Sequence, residues 1–214
     1  MIYFMNSSNN SRTKLYDFDF TQSLTDSIHN QVATLNGTSG TDYIQDSNGI
    51  TLMSDIANIN LNSVGSILHL RIFSHEVDVG DCNVDISDSL HKRFFMWSNN
   101  AGFIYRVTNE QTPHWGVYVT TGIGAAQWYD TDITDKDYFK NSTLKVKFNN
   151  QKIYFYKNDN LFYTISDAGN DYYNSNYSYG IGGNGAARTE YNLGSQSIYN
   201  ITIKALRIYA EQEE

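Results

Sequence analysis

The sequence predicts an all-β chain folded as a two-sheet antiparallel β-sandwich, a jelly roll. Three observations carry that reading. Apolar and polar residues alternate over short runs that are split by Asn, Gly, Asp and Ser. No window of about eleven residues keeps the i, i+3, i+4, i+7 spacing of a helix face. Aromatics make up 14% of the chain, with 17 Tyr, 11 Phe and 3 Trp, enough flat apolar surface to fill the space between two sheets.

Taken in chain order, Ile67–Phe73 sets Leu68, Leu70 and Ile72 on one face and His69 and Arg71 on the other. Arg93–Trp97, Phe103–Val107 and Trp115–Val119 alternate likewise, and the single proline, Pro113, is expected between two strands, where its missing N–H costs no ladder bond. Leu144-Lys145-Val146-Lys147-Phe148 is the clearest strand. Asn149-Asn150-Gln151 reads as a turn, Ile153–Tyr156 as the next strand, Asn158-Asp159-Asn160 as a second turn and Leu161–Ile165 as a third strand, together an antiparallel meander. Near the end, Ile201, Ile203, Leu206 and Ile208 break phase at Ala205, the sign of a β-bulge or a bend. Gly180–Gly185 reads as a glycine-rich loop between the last two strands; no helix follows it to hold a phosphate.

A chain of 214 residues buries a core without disulfide staples and is read as one domain. Residues 1–14 are an apolar tag followed by a polar stretch, 15–210 the sandwich, and 211–214 an acidic tail. Lys and Arg total 15 against 23 Asp and Glu, a net charge of −8. That surface repels phosphate backbones and anionic headgroups, so neither nucleic acid nor a membrane is expected as a partner. Met1–Met5 is too short and lacks the basic flank of a secretory signal, and no apolar run approaches the ~18 residues of a span. Cys82 has no second cysteine to pair with and reads as a half-buried bystander.

With those segments in place, the chain resembles the concanavalin A-like lectin/glucanase superfamily in its laminin-G-like form. The resemblance covers roughly Leu15 to Ala210 and rests on order and spacing. Leu15–Phe20 with Ser23–Asp26 resembles the opening strand and loop, Asp46–Leu52 the second strand, Leu144–Leu161 the central meander and Ser197–Tyr209 the closing strand. Such domains, when rich in Asn, Tyr and Gly, resemble modules of bacteriophage virion proteins, so the resemblance implies a virion location, other virion proteins as partners and a homo-oligomer. Met1–Met5 would serve as the docking tag.

The superfamily hosts both enzymes and binders, so the site decides. Its glucanases carry Glu-x-Asp-x-x-Glu on one strand, and retaining hydrolysis needs two carboxylates about 5 Å apart. Glu76-Val77-Asp78-Val79-Gly80-Asp81 has the spacing, with Gly80 as a possible bulge, but it ends in Asp and reads as a solvated acidic strand end. Asp78, Asp81, Asp85 and Asp88, and again Asp130, Asp132, Asp135 and Asp137, crowd together without the spacing of a calcium loop, and the five histidines lack metal-ligand spacing. No Gly-x-Ser-x-Gly elbow is present. The expectation is a non-catalytic module without cofactor or metal.

Sugars offer flat C–H faces to aromatic rings and hydroxyl rims to amides and charged groups. Trp115, Tyr118, Trp128, Tyr129, Asp130 and Arg188 are the candidate carbohydrate-binding residues for a bacterial surface glycan. Trp115 and Tyr118 differ by three and so face opposite sides of a regular strand; only one of them can be core. A purely architectural virion protein is the alternative, and a glycoside hydrolase a further one.

Overall fold

The computed structural model describes residues 12–54, 56–61, 72–83, 92–97, 101–108, 111–121, 125–149, 152–166, 180–182 and 200–212; for 92–97, 101–108, 111–113, 118–121, 125–128 and 180–182 that description is of the backbone. Among them are fifteen strands and no helix: β1 Thr13–Asp19, β2 Thr34–Asn36, β3 Tyr43–Asp46, β4 Gly49–Leu52, β5 Asn58–Asn60, β6 Ile72–Cys82, β7 Lys92–Trp97, β8 Ala101–Thr108, β9 Gln111–Thr121, β10 Ala125–Asp130, β11 Ser142–Asn149, β12 Lys152–Lys157, β13 Asn160–Ile165, β14 Gly180–Gly182 and β15 Ile201–Ala210.

They form one eight-stranded sheet, ordered β13-β12-β11-β6-β15-β4-β3 with β1 also paired to β15, and two smaller sheets, β10-β9-β8-β7 and β14-β5-β2. All ladders between named strands are antiparallel. Trp115 and Val117 of β9 and Ile59 of β5 share one apolar cluster with Val77, Val146, Phe155 and Ile208 of the large sheet, so the small sheets form the opposing layer. This is the predicted antiparallel β-sandwich.

The meander follows the predicted alternation. Leu144, Val146 and Phe148 of β11 are buried in the core, as are Ile153 and Phe155 of β12. Asn158 and Asp159 have φ of 47° and 61°, the left-handed pair of a two-residue hairpin between Lys157 and Asn160. Asn150 and Gln151, predicted as the other turn, lie outside the described residues, as does 67–71 of the predicted Ile67 strand.

Other readings change. Asp46–Leu52, read as one strand, is a hairpin: Asp46 pairs with Gly49 across Ser47-Asn48. Gly49 has φ 119°, and a Cβ there would collide with the Ile203 carbonyl of β15, so the turn admits only glycine. Pro113 lies within β9, not between strands; the ladder slips between Arg106 and Thr108 of β8, which releases the proline from the N–H it lacks. Gly180–Gly182 is not loop but strand, paired with β5.

The phase break at Ala205 is a bulge, and it has a partner. Ile203 pairs with Val79 and Ala205 with Asp78, which leaves Lys204 as an extra residue on β15; Ile201 pairs with Cys82, which leaves an extra residue on β6 beside Gly80. The two insertions compensate, so Ile201, Ile203, Leu206 and Ile208 all reach the core.

His75 of β6 also faces that core, 1% exposed, with Phe73 and Phe148 rings at 5.2 and 6.0 Å. Burial pushes its pKa down to about 3, from the ordinary 6.5. The unfolded chain therefore binds a proton that the folded one refuses over this interval. Stability should be flat above pH 6.5 on this account and fall progressively as pH drops towards 3, and His75→Leu should flatten that dependence, as read from urea midpoints measured from pH 8 to 4.

Candidate functional site

The face of the eight-stranded sheet that points away from the core is charged. Across it runs one row of register partners: Asp17 of β1 opposite Arg207 of β15, Arg207 opposite Glu76 of β6, Glu76 opposite Lys145 of β11, and Lys145 opposite Tyr156 of β12. Signs alternate along it, the arrangement that stabilises cross-strand neighbours. Asp78, two residues along β6, accepts hydrogen bonds from both terminal nitrogens of Arg207 and, at 2.7 Å, from the Thr143 hydroxyl. Glu76 accepts from Arg12 and lies 3.9 Å from Arg207. Arg12 stacks 4.0 Å over the Tyr209 ring, and Lys145 bonds Asp159 at 2.9 Å. The Asp78 hydrogen bond holds the Arg207 pKa above its already high value, and that of Lys145 holds the Asp159 carboxyl below its usual range.

Two grooves flank this row and share Asp78 and Arg207. The larger, about 600 Å³, has Asp17, Asp78, Ala205 and Arg207 as its floor and the 19–27 segment, with Lys204, as its walls. The smaller, about 390 Å³, lies among Arg12, Glu76, Thr143, Asn158 and Asp159. The wall of the larger is polar throughout: Asp19, Thr21, Gln22, Ser23, Thr25 and Ser27. Asp26, fully buried, ties it to β1 by accepting the Asp17 N–H at 2.6 Å and the His29 N–H at 2.5 Å. Ser27 N–H donates to the Asp17 carbonyl and Ala33 N–H to the Leu24 carbonyl, so the wall is folded back on itself.

The glucanase-like triplet therefore falls differently from its reading as a solvated strand end. β6 runs on through Cys82, which places Glu76 and Asp78 inside the strand on one face, with Glu76 only 6% exposed. Both carboxylates are occupied by guanidinium donors. Asp81 lies beyond the bulge, exposed and paired with Lys140 at 2.9 Å. Cys82 is not half-buried but buried, and burial pushes its thiol up to about 12.

Of the six predicted site residues, the structure corrects Trp115. It is fully buried, its indole N–H donates to the Asp135 carbonyl at 2.8 Å, and its ring meets Phe139 edge-on at 4.6 Å. No face of it is left for a sugar. Tyr129 pairs with Val117, is half-buried and packs 6.1 Å from Tyr163. Asp130 is exposed at the end of β10, with an oxygen 3.0 Å from His114 Nε2. Tyr118 and Trp128 are direct register partners, at positions alternate to Trp115 and Val117; their side chains, and Arg188 altogether, lie outside the described residues. The groove residues went unread because the 19–27 segment carries only turn chemistry; its role as a wall comes from the pairing of β1 with β15, at the other end of the chain.

Comparisons with known proteins bear on the fold. No protein-family model matches the chain, and no curated protein matches it. Among solved structures, it is similar to domain 4 of AbnA, a GH43 extracellular arabinanase from Geobacillus stearothermophilus solved with arabinotriose, at 15% identity and TM-score 0.55 over 94% of this chain and 93% of that one. It is similar to the VIP36 exoplasmic/lumenal domain at 12% identity and TM-score 0.56, over 95% of each chain. A botulinum neurotoxin type C structure, whose cell entry depends on two ganglioside molecules, matches at 14% identity and TM-score 0.56 over 94% of this chain; the chain spans about half, 49%, of that one. These likenesses concern the fold alone, and they agree with the two-sheet antiparallel β-sandwich.

Two substitutions test the site's construction. Asp26→Ala removes a buried carboxylate that accepts two backbone N–H groups and should lower unfolding free energy by about 2–3 kcal/mol in urea titration. Trp115→Ala empties a core position and should cost about 3–5 kcal/mol by the same measurement, as a core residue does.

Proposed function

We propose that this chain is a non-catalytic carbohydrate-binding module of a bacteriophage virion protein, present in several copies and directed at bacterial surface glycans. The observation that carries the binding reading is the larger groove: about 600 Å³, within the range of ligand pockets, rigidly floored by paired strands and walled by hydroxyl and amide side chains. Such a lining matches a polyhydroxylated ligand, which needs donors and acceptors at short intervals. The arabinanase domain solved with arabinotriose, and the toxin that depends on gangliosides, support it by analogy of fold.

The reading as a binder and not a hydrolase rests on the state of Glu76 and Asp78. A retaining glycosidase needs one carboxyl free to give a proton and another free to attack. Here each oxygen pair faces guanidinium or hydroxyl donors. Individual sugar contacts are weak, and repetition on a particle would turn weak sites into firm attachment. The virion assignment is supported by the sequence resemblance to phage modules.

Retention on immobilised surface polysaccharides, or on host cells, tests the reading. The chain should be retained, should release no reducing sugar, and should bind about tenfold more weakly after Gln22→Ala with Ser27→Ala. Trp128→Ala run beside it separates the groove from the β9–β10 hairpin as the contact face. A folded protein retained on no polysaccharide would favour the architectural alternative, released sugar would establish the hydrolase, and absence of the chain from purified particles would remove the virion assignment.

A further inference from the structure

The carboxylates lining the larger groove are all engaged. Asp78 takes Arg207 and Thr143, Asp17 takes Lys14 at 2.7 Å, and Asp19 takes the Thr21 N–H and hydroxyl at 3.1 and 2.6 Å. Arg207 is in turn held by Asp78, with Glu76 and Asp17 nearby. Lys204 is different. Among the described residues no hydrogen bond or ion pair engages its ammonium, although the side chain lines the groove and is only half-buried.

Its position is built by the paired bulges. In an unbroken strand residues i and i+3 lie on opposite faces, so Lys204 and Arg207 would part company. The register shift between Ile203 and Ala205 resets the phase, and both then line the same groove. Across the ladder, Gly80 makes room: a Cβ there would stand 2.8 Å from Lys204 Cε and 3.2 Å from Thr202 Cβ. The absent side chain is the space the lysine stem occupies.

We infer that this groove takes an acidic glycan, with a sugar carboxylate on the Lys204 ammonium and neighbouring hydroxyls on Gln22, Ser27 and the outer lone pairs of Asp19. The inference rests on the carbohydrate reading above and narrows it to a class of glycan. A single ammonium with hydroxyl partners suits a monoanionic carboxylate; phosphate is better served by a free arginine fork, and the fork here is spent on Asp78. A net charge of −8 works against any polyanion at long range, so a preference for acidic glycans has to be local. One substitution therefore suffices to abolish it.

The test measures affinity for polygalacturonate, alginate and colominic acid, each against its carboxyl-reduced form, with phosphomannan as a further arm. The wild-type chain should bind at least one acidic form about tenfold more tightly than its reduced counterpart. Lys204→Gln should equalise the two, Lys204→Arg should keep most of the preference, and Gly80→Ala, by crowding the stem, should weaken binding of the acidic form; melting curves confirm that each variant is folded. Equal binding of acidic and reduced forms, or a preference that survives Lys204→Gln, overturns the inference and leaves the carbohydrate reading standing. Phosphomannan bound more tightly than every carboxylate glycan overturns the carboxylate assignment. No retention on any of these, acidic or neutral, overturns the inference, and no retention on host cells in addition overturns the carbohydrate reading.

Discussion

Two compensating insertions in the β6–β15 ladder decide which side chains meet the core and which meet solvent. Side chains alternate with a period of two, so a slip of one residue exchanges the faces of everything that follows. Without the insertion at Lys204, the stretch from Ala205 onward would turn Arg207 and Tyr209 inward and Leu206 and Ile208 outward. The cost would be an unpaired guanidinium in an apolar layer together with the loss of two fully buried aliphatic side chains. The matching irregularity beside Gly80 lets β6 keep Val77, Val79 and Cys82 in the same layer. The core therefore holds the bulges in place, and the bulges arrange the groove.

The charged row on the other face follows from the same register. Asp17, Arg207, Glu76 and Lys145 stand on four adjacent strands, each beside the opposite sign. Glu76 is nearly buried, so removing a guanidinium partner would leave a desolvated charge without compensation. The row thereby joins the two grooves through residues they share, Asp78 and Arg207.

How much of this is legible in the sequence depends on the range of the interaction. The meander was readable because alternation in Leu144–Phe148 and the Asn158-Asp159 turn are local. The bulge near Ala205 was readable for the same reason, since the broken phase lies within eight residues, Ile201 to Ile208. Trp115 was not. Its burial depends on residues 131–139 folding back to supply the Ile133 and Asp135 carbonyls and the Phe139 ring, and nothing around Trp115 records that return. The sequence spacing of Glu76 and Asp78 correctly implied a shared face, but the arginines that occupy them come from opposite ends of the chain. Lys204 carried no signal at all: a lysine in an amphipathic strand is unremarkable until Gly80 is seen across from it.

Under the proposed reading, recognition by such a groove would draw its strength from rigidity. A ligand that orders a flexible loop pays for that order out of its own affinity. Here the floor is three paired strands, and the wall is pinned through Asp26 to the backbone of β1 and through the Ser27 N–H to the same residue's carbonyl. The one long side chain in the lining without a partner among the described residues is Lys204, and its Cε lies 2.8 Å from where a Cβ at position 80 would stand. The same rigidity limits adaptation: a pocket whose donors are fixed discriminates by the placement of charge and hydroxyls, so a single cation held over a polar floor acts on selectivity more strongly than on total affinity.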